Sequence, residues 1–387
     1  MKHFYKKLTI PAVAIFIIAG AVITFTGCSK TDSKNEVKAT STQTTTFAYI
    51  PSSSNIIGKV NIAKIAKIES VKKQIEANKD IPYIKEMKSS GMDVNNISTI
   101  NFGISPNALS KKANTKQSGA EGVVIIKTIN KVVLSKFIGL IEKNHELTFK
   151  TEKIDNATLY TIPTKEHSGT DTFLTQLSGN LIAIGTKSML EQSILLHNNK
   201  GKSVLQNVKL MQISENAKRN DMLWVAALIP PEASGLADKD APKINNGLIY
   251  ANYINNSLNI GGTINCDSNK DVQKILLPAQ MIISLAAMNS NNTLKAEDIS
   301  LKANKNQLLI DIKIPQAALD TFAKSAAANA ANAAGELQHN NQKSATKQDL
   351  TAAKAIKTNS NTLKLHPDAA AKVKSTPALT EKTVNTK

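Results

Sequence analysis

The feature that most narrows the possible folds is a recurring beat of short apolar-polar alternations joined by tight polar turns. Leu147–Lys153 and Thr158–Ile162 flank Asp155-Asn156, and Phe173–Ser178 and Leu181–Gly185 flank Gly179-Asn180. Leu248–Ile254 and Leu258–Cys266 flank Asn255-Asn256, and Ile299–Ala303 and Leu308–Ile314 flank Asn304-Lys305-Asn306. A period of two puts alternate side chains on one face of a strand, and Asn, Asp and Gly accept the backbone angles of tight hairpins. Further strands are predicted at Ile56–Ile62, Ile97–Ile104 and Gly122–Thr128. Met222–Ile229 is apolar at nearly every position, the pattern of a strand covered on both faces.

Between these runs the spacing changes to that of helices. Ile65, Ile68 and Ile75 share one face, as do Leu134, Phe137, Ile138 and Ile141. Pro82 opens a short helix that Gly91 stops, and Thr186 N-caps another through His197. Ser203 with Gln206 reads as a capping box for a helix ending near Arg219. Asp267 or Ser268 caps a long helix to Met288, in which Pro278 predicts a kink. The order strand pair, helix, strand pair occurs twice, near 97–185 and near 248–314. The expectation is an α+β fold of antiparallel hairpins with packed helices, built by internal duplication, with a first unit over 46–229 and a second over 230–324 packed on it.

The flanks cannot join that core. Residues 28–45 carry no aromatic residue, and residues 325–387 form an Ala/Asn/Lys-rich stretch without one. Neither buries enough apolar surface to offset the entropy of ordering, which predicts a flexible tether and a disordered tail. The span 46–324 is long enough for a sizeable core.

Within that span, "AYIPSSSNIIGKVNIAKI", "GMDVNNISTINFGIS" and "NLIAIGTKSMLEQSI" resemble a family of large, uncharacterised bacterial exported proteins. The resemblance implies fold and localisation and brings no activity with it. The N-terminus agrees on export. Lys2, Lys6 and Lys7 precede an uncharged run from Leu8 to Phe25, followed by Thr26-Gly27-Cys28 and a sharply polar stretch. That junction resembles the lipobox of bacterial lipoproteins, which implies cleavage between Gly27 and Cys28 and acylation of Cys28. Two acyl chains give stable anchoring where one gives only marginal attachment. The alternative is an uncleaved anchor, since Leu8–Gly27 is near the length that crosses a bilayer. Ser29 fits the sorting rule for the outer membrane in such lipoproteins, so the expected location is the cell envelope, facing the periplasm.

The net charge is +18, yet 47 of the 48 basic residues are Lys and Arg219 is the sole Arg. Base readout and bidentate phosphate clamps favour Arg, and no basic run is interleaved with aromatics, so nucleic acid is not an expected partner. Diffuse attraction to an anionic envelope polymer or to a membrane surface suits the lysines better, and an envelope protein is the other expected partner. With Cys28 assigned to lipid, Cys266 is left without a disulfide and reads as a buried, inert thiol at the end of an apolar alternation.

Chemistry finds little footing. His145, His167 and His197 show no metal-ligand spacing. G-x-S-x-G and G-x-G-x-x-G are absent, and Ser70–Lys73 and Ser344–Lys347 lack the companion motifs of serine acyl-enzymes. Gly201-Lys202-Ser203 lacks the earlier glycine of a phosphate loop, since Leu196 stands there. Asp221, Asp238 and Asp240 have no partner that spacing can identify. Trp224, Tyr250 and Tyr253 read as core or as the lining of a ligand groove. No catalytic, metal or cofactor residue is expected. The function expected is non-enzymatic binding or structural support. A carrier of lipid or peptide in a sheet-helix cleft is the alternative, and an envelope enzyme of unknown class the third.

Overall fold

A computed structural model describes residues 44–77, 85, 88–105, 121–145, 148–162, 171–217, 221–229, 241–289 and 293–321. Residues 1–43 and those beyond 321 lie outside these, so the expectations of a signal segment, a tail from 325 and most of a tether over 28–45, with those for Gly27 and Cys28, lie outside the described residues. The described elements are twelve strands and seven helices. The strands are β1 (Ile56–Asn61), β2 (Ile97–Ile104), β3 (Gly122–Thr128), β4 (Lys150–Ile154), β5 (Ala157–Ile162), β6 (Thr172–Ser178), β7 (Leu181–Gly185), β8 (Leu223–Leu228), β9 (Ile244–Ile254), β10 (Ser257–Cys266), β11 (Ile299–Asn304) and β12 (Gln307–Pro315). The helices are α1 (Thr44–Phe47), α2 (Ile62–Ile65), α3 (Glu69–Ala77), α4 (Leu134–His145), α5 (Lys187–His197), α6 (Val208–Glu215) and α7 (Asn269–Asn289). The fold is mixed α+β.

All twelve strands belong to one sheet in the order β11-β12-β10-β9-β8-β1-β2-β3-β7-β6-β5-β4, and every pair in it is antiparallel. Outward from the β1–β8 seam, one side runs β1-β2-β3-β7-β6-β5-β4 and the other β8-β9-β10-β12-β11. On each side three strands meander, a helix follows (α4 or α7), and the last strand of the next series returns to pair with the third. The turns explain the hairpins locally. Asn255 and Asn256 both take positive φ, at 51° and 54°, as a two-residue primed turn requires. Asp155 and Lys305 hold the corresponding left-handed position in their hairpins.

The sheet buries both faces, but with different partners. On the first face Ile57, Val123, Ile125, Ala183, Trp224, Ala226 and Leu248 pack with Met189, Leu190 and Ile194 of α5, Leu210 of α6, and Phe47 and Ile50. On the second face Val60, Ile126, Ile182 and Leu223 pack with Leu134 and Ile138 of α4. Further along that second face, Ile264 and Leu308 meet Val272, Ile275 and Leu276 of α7. β8, predicted to be central and covered, lies between β1 and β9 with Leu223, Trp224, Val225 and Ala226 all buried.

Local expectations needed correction in two places. Ser203 caps only the 3-10 turn Val204–Gln206 and makes no side-chain cap bond, whereas Asn207 accepts from the Leu210 amide at 3.2 Å and starts α6. A capping box needs its Glu or Gln to open a full helix, and this turn closes after three residues. The helix expected through Ile65, Ile68 and Ile75 is two, α2 and α3, because Asn61 caps the first on the Lys64 amide and Ala66 ends it. The long helix expected to about Met288 is α7, with Pro278 inside it. Its start is as expected, with Ser268 accepting from the Asp271 amide at 3.2 Å and donating to the Asp271 carboxylate at 2.6 Å.

Candidate functional site

Strand order brings together apolar residues that are far apart in sequence. Ile56 faces Ala227 across the seam, Val225 faces Ile249, and Ile264 faces Gly247. These residues, with Ile229 and Ile244, line a half-open trough of about 50 Å³ on the second face of the sheet. Every lining residue is apolar or glycine. Ile229, Ile244 and Ile264 also touch the cluster under α7, so the trough opens beside that helix. Two small residues make the room. Ala227 and Gly247 pair directly across β8 and β9, and a Cβ placed on Gly247 would meet nothing nearer than 3.4 Å. Nothing in the wall can donate or accept a proton. The site can hold hydrocarbon, and it repels charge.

The polar residues gather elsewhere, at one end of the first face. Lys59 lies directly between Asn101 on β2 and Trp224 on β8. Burial pushes its ammonium pKa below the ordinary lysine value, Lys64 and Lys127 push it further, and Asp221 opposes them. Asp221 is buried and accepts a hydrogen bond from the Asn252 side chain, which also receives the Met222 amide at 2.9 Å. Asn101 is 1 % exposed, and its Oδ1 has no hydrogen-bond partner among the described residues. The Asn252 side chain thus fastens the start of β8 to β9 at this end.

The residues singled out in the sequence do not converge. Trp224 stacks on Phe47 with ring centroids 5.3 Å apart, and Tyr250 lays its ring over Gly261. The Tyr253 hydroxyl donates to Gln316. His197 ends α5 against the Tyr49 ring at 5.5 Å, His145 ends α4, and His167 lies outside the described residues. Ser70 and Lys73 are on α3, and neither lines the trough. Cys266 is buried under α7, and burial, aided by Asp271 and Asp267, pushes its thiol pKa up to about 12. Among the described residues, no group of three or more His, Cys, Asp or Glu is placed to hold a metal ion. No helix among them is long and apolar enough to cross a membrane.

The fold and trough define a class no narrower than an α+β protein with one long antiparallel sheet. No protein-family model matches the chain, and no curated protein matches it. Among solved structures it is similar to crystal forms III and I of TP0453. The identities are 10% and 12%, over 72% of this chain and 97% and 96% of those chains, with TM-scores of 0.40 and 0.38.

Proposed function

We propose that the chain is an exported envelope lipoprotein, anchored through acylated Cys28, whose folded part binds an envelope partner and performs no chemistry of its own. The observation that carries the binding reading is the trough: uniformly apolar, half-open and about 50 Å³ in volume. Sites for whole small molecules run to roughly 300–1,000 Å³. A recess of this size receives one apolar side chain, the way a partner's anchor residue enters a pocket at the centre of an interface. The same size argues against the carrier reading, in which a lipid or peptide would be enclosed. The export reading rests on the residues around Gly27-Cys28 and on the polar stretch that follows them.

Internal duplication is part of the same proposal. Its support is the shared order on the two sides of the β1–β8 seam, together with α4 and α7 following the third strand of each side onto the same face. On this reading β8, which the boundary expected at 229 assigned to the first unit, opens the second copy instead.

Mass spectrometry of the N-terminus of protein taken from membranes tests the anchor, which predicts a diacylglyceryl group on Cys28. For the trough, a photo-crosslinking residue replacing Ile249 should capture a defined envelope protein in living cells, and one replacing Lys313 should not. Adding Ala227→Leu, which fills the recess, should abolish the capture. Capture that is indifferent to Ala227→Leu, or a crosslink only to lipid, would sink the binding reading.

A further inference from the structure

Directly paired residues of an antiparallel sheet share a face, and one such row crosses the first face at Ile125, Asn101, Lys59 and Trp224, on β3, β2, β1 and β8. Its outer members are core, with Ile125 0 % and Trp224 2 % exposed. Its inner members are polar. A lysine beside an asparagine between two core side chains breaks the apolar pattern of the row, and such breaks gather where a fold does chemistry. Asn101 is 1 % exposed, its Nδ2 donates to the Thr99 hydroxyl at 3.3 Å, and its Oδ1 has no hydrogen-bond partner among the described residues. Lys59 therefore stands opposite a buried carboxamide without donating to it. An empty acceptor is costly in such surroundings, because the low dielectric that strengthens hydrogen bonds also raises the penalty of a missing one.

The Cβ atoms of a facing pair lie about 4.5–5.5 Å apart, so the flexible stem of Lys59 can bring its Nζ to the Asn101 Cγ. Burial and the charges of Lys64 and Lys127 favour the neutral amine at Lys59, which is the nucleophilic form, and Asp221 opposes them. We propose that Lys59 and Asn101 join in an intramolecular isopeptide bond. The Nζ lone pair attacks Cγ, the Cγ–Nδ2 bond breaks, one Nζ proton passes to the departing nitrogen, and one molecule of ammonia leaves. Nothing is oxidised or reduced, and no co-reactant is consumed. Asp221 is buried and its charge reaches Lys59, which makes it the carboxylate that can carry the proton between the two nitrogens. The bond forms once per chain and turns over no substrate, so the folded part stays non-enzymatic. Until it forms, Lys59 is a titrating amine, and afterwards it carries no charge. The bond clasps β1 to β2 beside the β1–β8 seam. Past residue 28 the only cysteine is Cys266, so the fold has no internal disulfide. A ring closed from 59 to 101 restricts the unfolded chain as a disulfide would.

The full chain, purified from membranes, is unfolded and digested with trypsin, and its peptides are weighed. The expected product is a branched peptide joining residue 59 to residue 101, lighter than its two parts by one ammonia, with no cleavage after Lys59. Lys59→Arg keeps the positive charge and should yield no branched peptide. Asn101→Asp should yield a branched peptide of the same mass as the native one, now formed by loss of water. Asp221→Asn, which keeps an acceptor for the Asn252 side chain, should slow closure by about a hundredfold in freshly made protein, the usual loss when a proton carrier is removed. Complete cleavage after Lys59, with residue 101 unlinked in the native chain and in Asn101→Asp alike, overturns the proposal, because water then meets the empty acceptor. Conversion of Asn101 to Asp in the native chain with Lys59 free also overturns it, since water and not the amine is then the nucleophile. The readout is a peptide from inside the fold, so it is independent of acylation at Cys28 and of any partner in the trough.

Discussion

Phe47 stacks on Trp224 with ring centroids 5.3 Å apart and planes at 26°, and both rings are 2 % exposed. Trp224 belongs to β8 in the middle of the sheet, whereas Phe47 ends the first helical turn of the described chain. The start of the folded part is thus fixed to the centre of the sheet by one aromatic pair. Phe47→Ala should cost about 3–5 kcal/mol in urea denaturation, through lost burial plus a cavity. Trp224 is the only Trp, so native fluorescence should shift to the red as water reaches the ring. An unchanged emission maximum would show that the stacking does not exclude water.

Glycines separate packing constraints from conformational ones. A Cβ at Gly185 would lie 2.3 Å from the Gly122 carbonyl oxygen, a backbone atom held in the β3–β7 pairing. At Gly139, on the exposed side of α4, nothing lies within 4 Å. Gly185→Ala should therefore destabilise by more than about 2 kcal/mol, since strand backbones must separate. Gly139→Ala should stabilise by about 0.5–1 kcal/mol, because alanine loses less backbone entropy in a helix. Thermal denaturation of the pair checks both signs.

Strand positions were largely legible, because alternation is a local signal. β2, β3 and β7 begin and end where their apolar periods do, and the Asn255-Asn256 turn announced the β9–β10 hairpin. What alternation does not carry is the neighbour across a long gap. β1 against β8 and β3 against β7 join residues tens to well over a hundred positions apart, and the single twelve-stranded sheet depends on these pairings. The trough was hidden for the same reason, since its walls come from 56, 225–229, 244–249 and 264. Its one sequence trace is small residues, Ala227 and Gly247, where large apolar neighbours prevail.

Capping was legible in kind and misplaced by four residues. Ser203 makes no side-chain cap bond, while the Asn207 side chain receives the Leu210 amide at 3.2 Å. Asn207→Ala should cost about 1 kcal/mol, the usual loss when a capping side chain is removed. Ser203→Ala should change stability by less than about 0.5 kcal/mol. Chemical denaturation of both variants orders them, and a larger loss at 203 would restore the capping-box reading.

Cys266 makes the clearest pH prediction. Its thiol has an ordinary pKa of 9.0 that the fold raises to about 12, first by burial and then through Asp271 and Asp267. A raised pKa means that the folded state favours the neutral thiol. The resulting stability is fully present below pH 9 and is lost as pH climbs toward 12, where the unfolded chain releases its proton first. Lys59 titrates in the alkaline range with the opposite sign. Its folded pKa is lowered by burial, so stability rises with pH as the unfolded lysine retains its proton longer. Comparing the native chain with Cys266→Ala at each pH cancels the lysine. At pH 7 the variant should be weaker by about 1–2 kcal/mol, from lost packing beneath α7. Between pH 9 and 10.5 that gap should narrow steadily in urea titrations. A gap that stays constant would mean that the thiol is reached by water, and that α7 does not seal the Ile264–Leu308 cluster over which it lies.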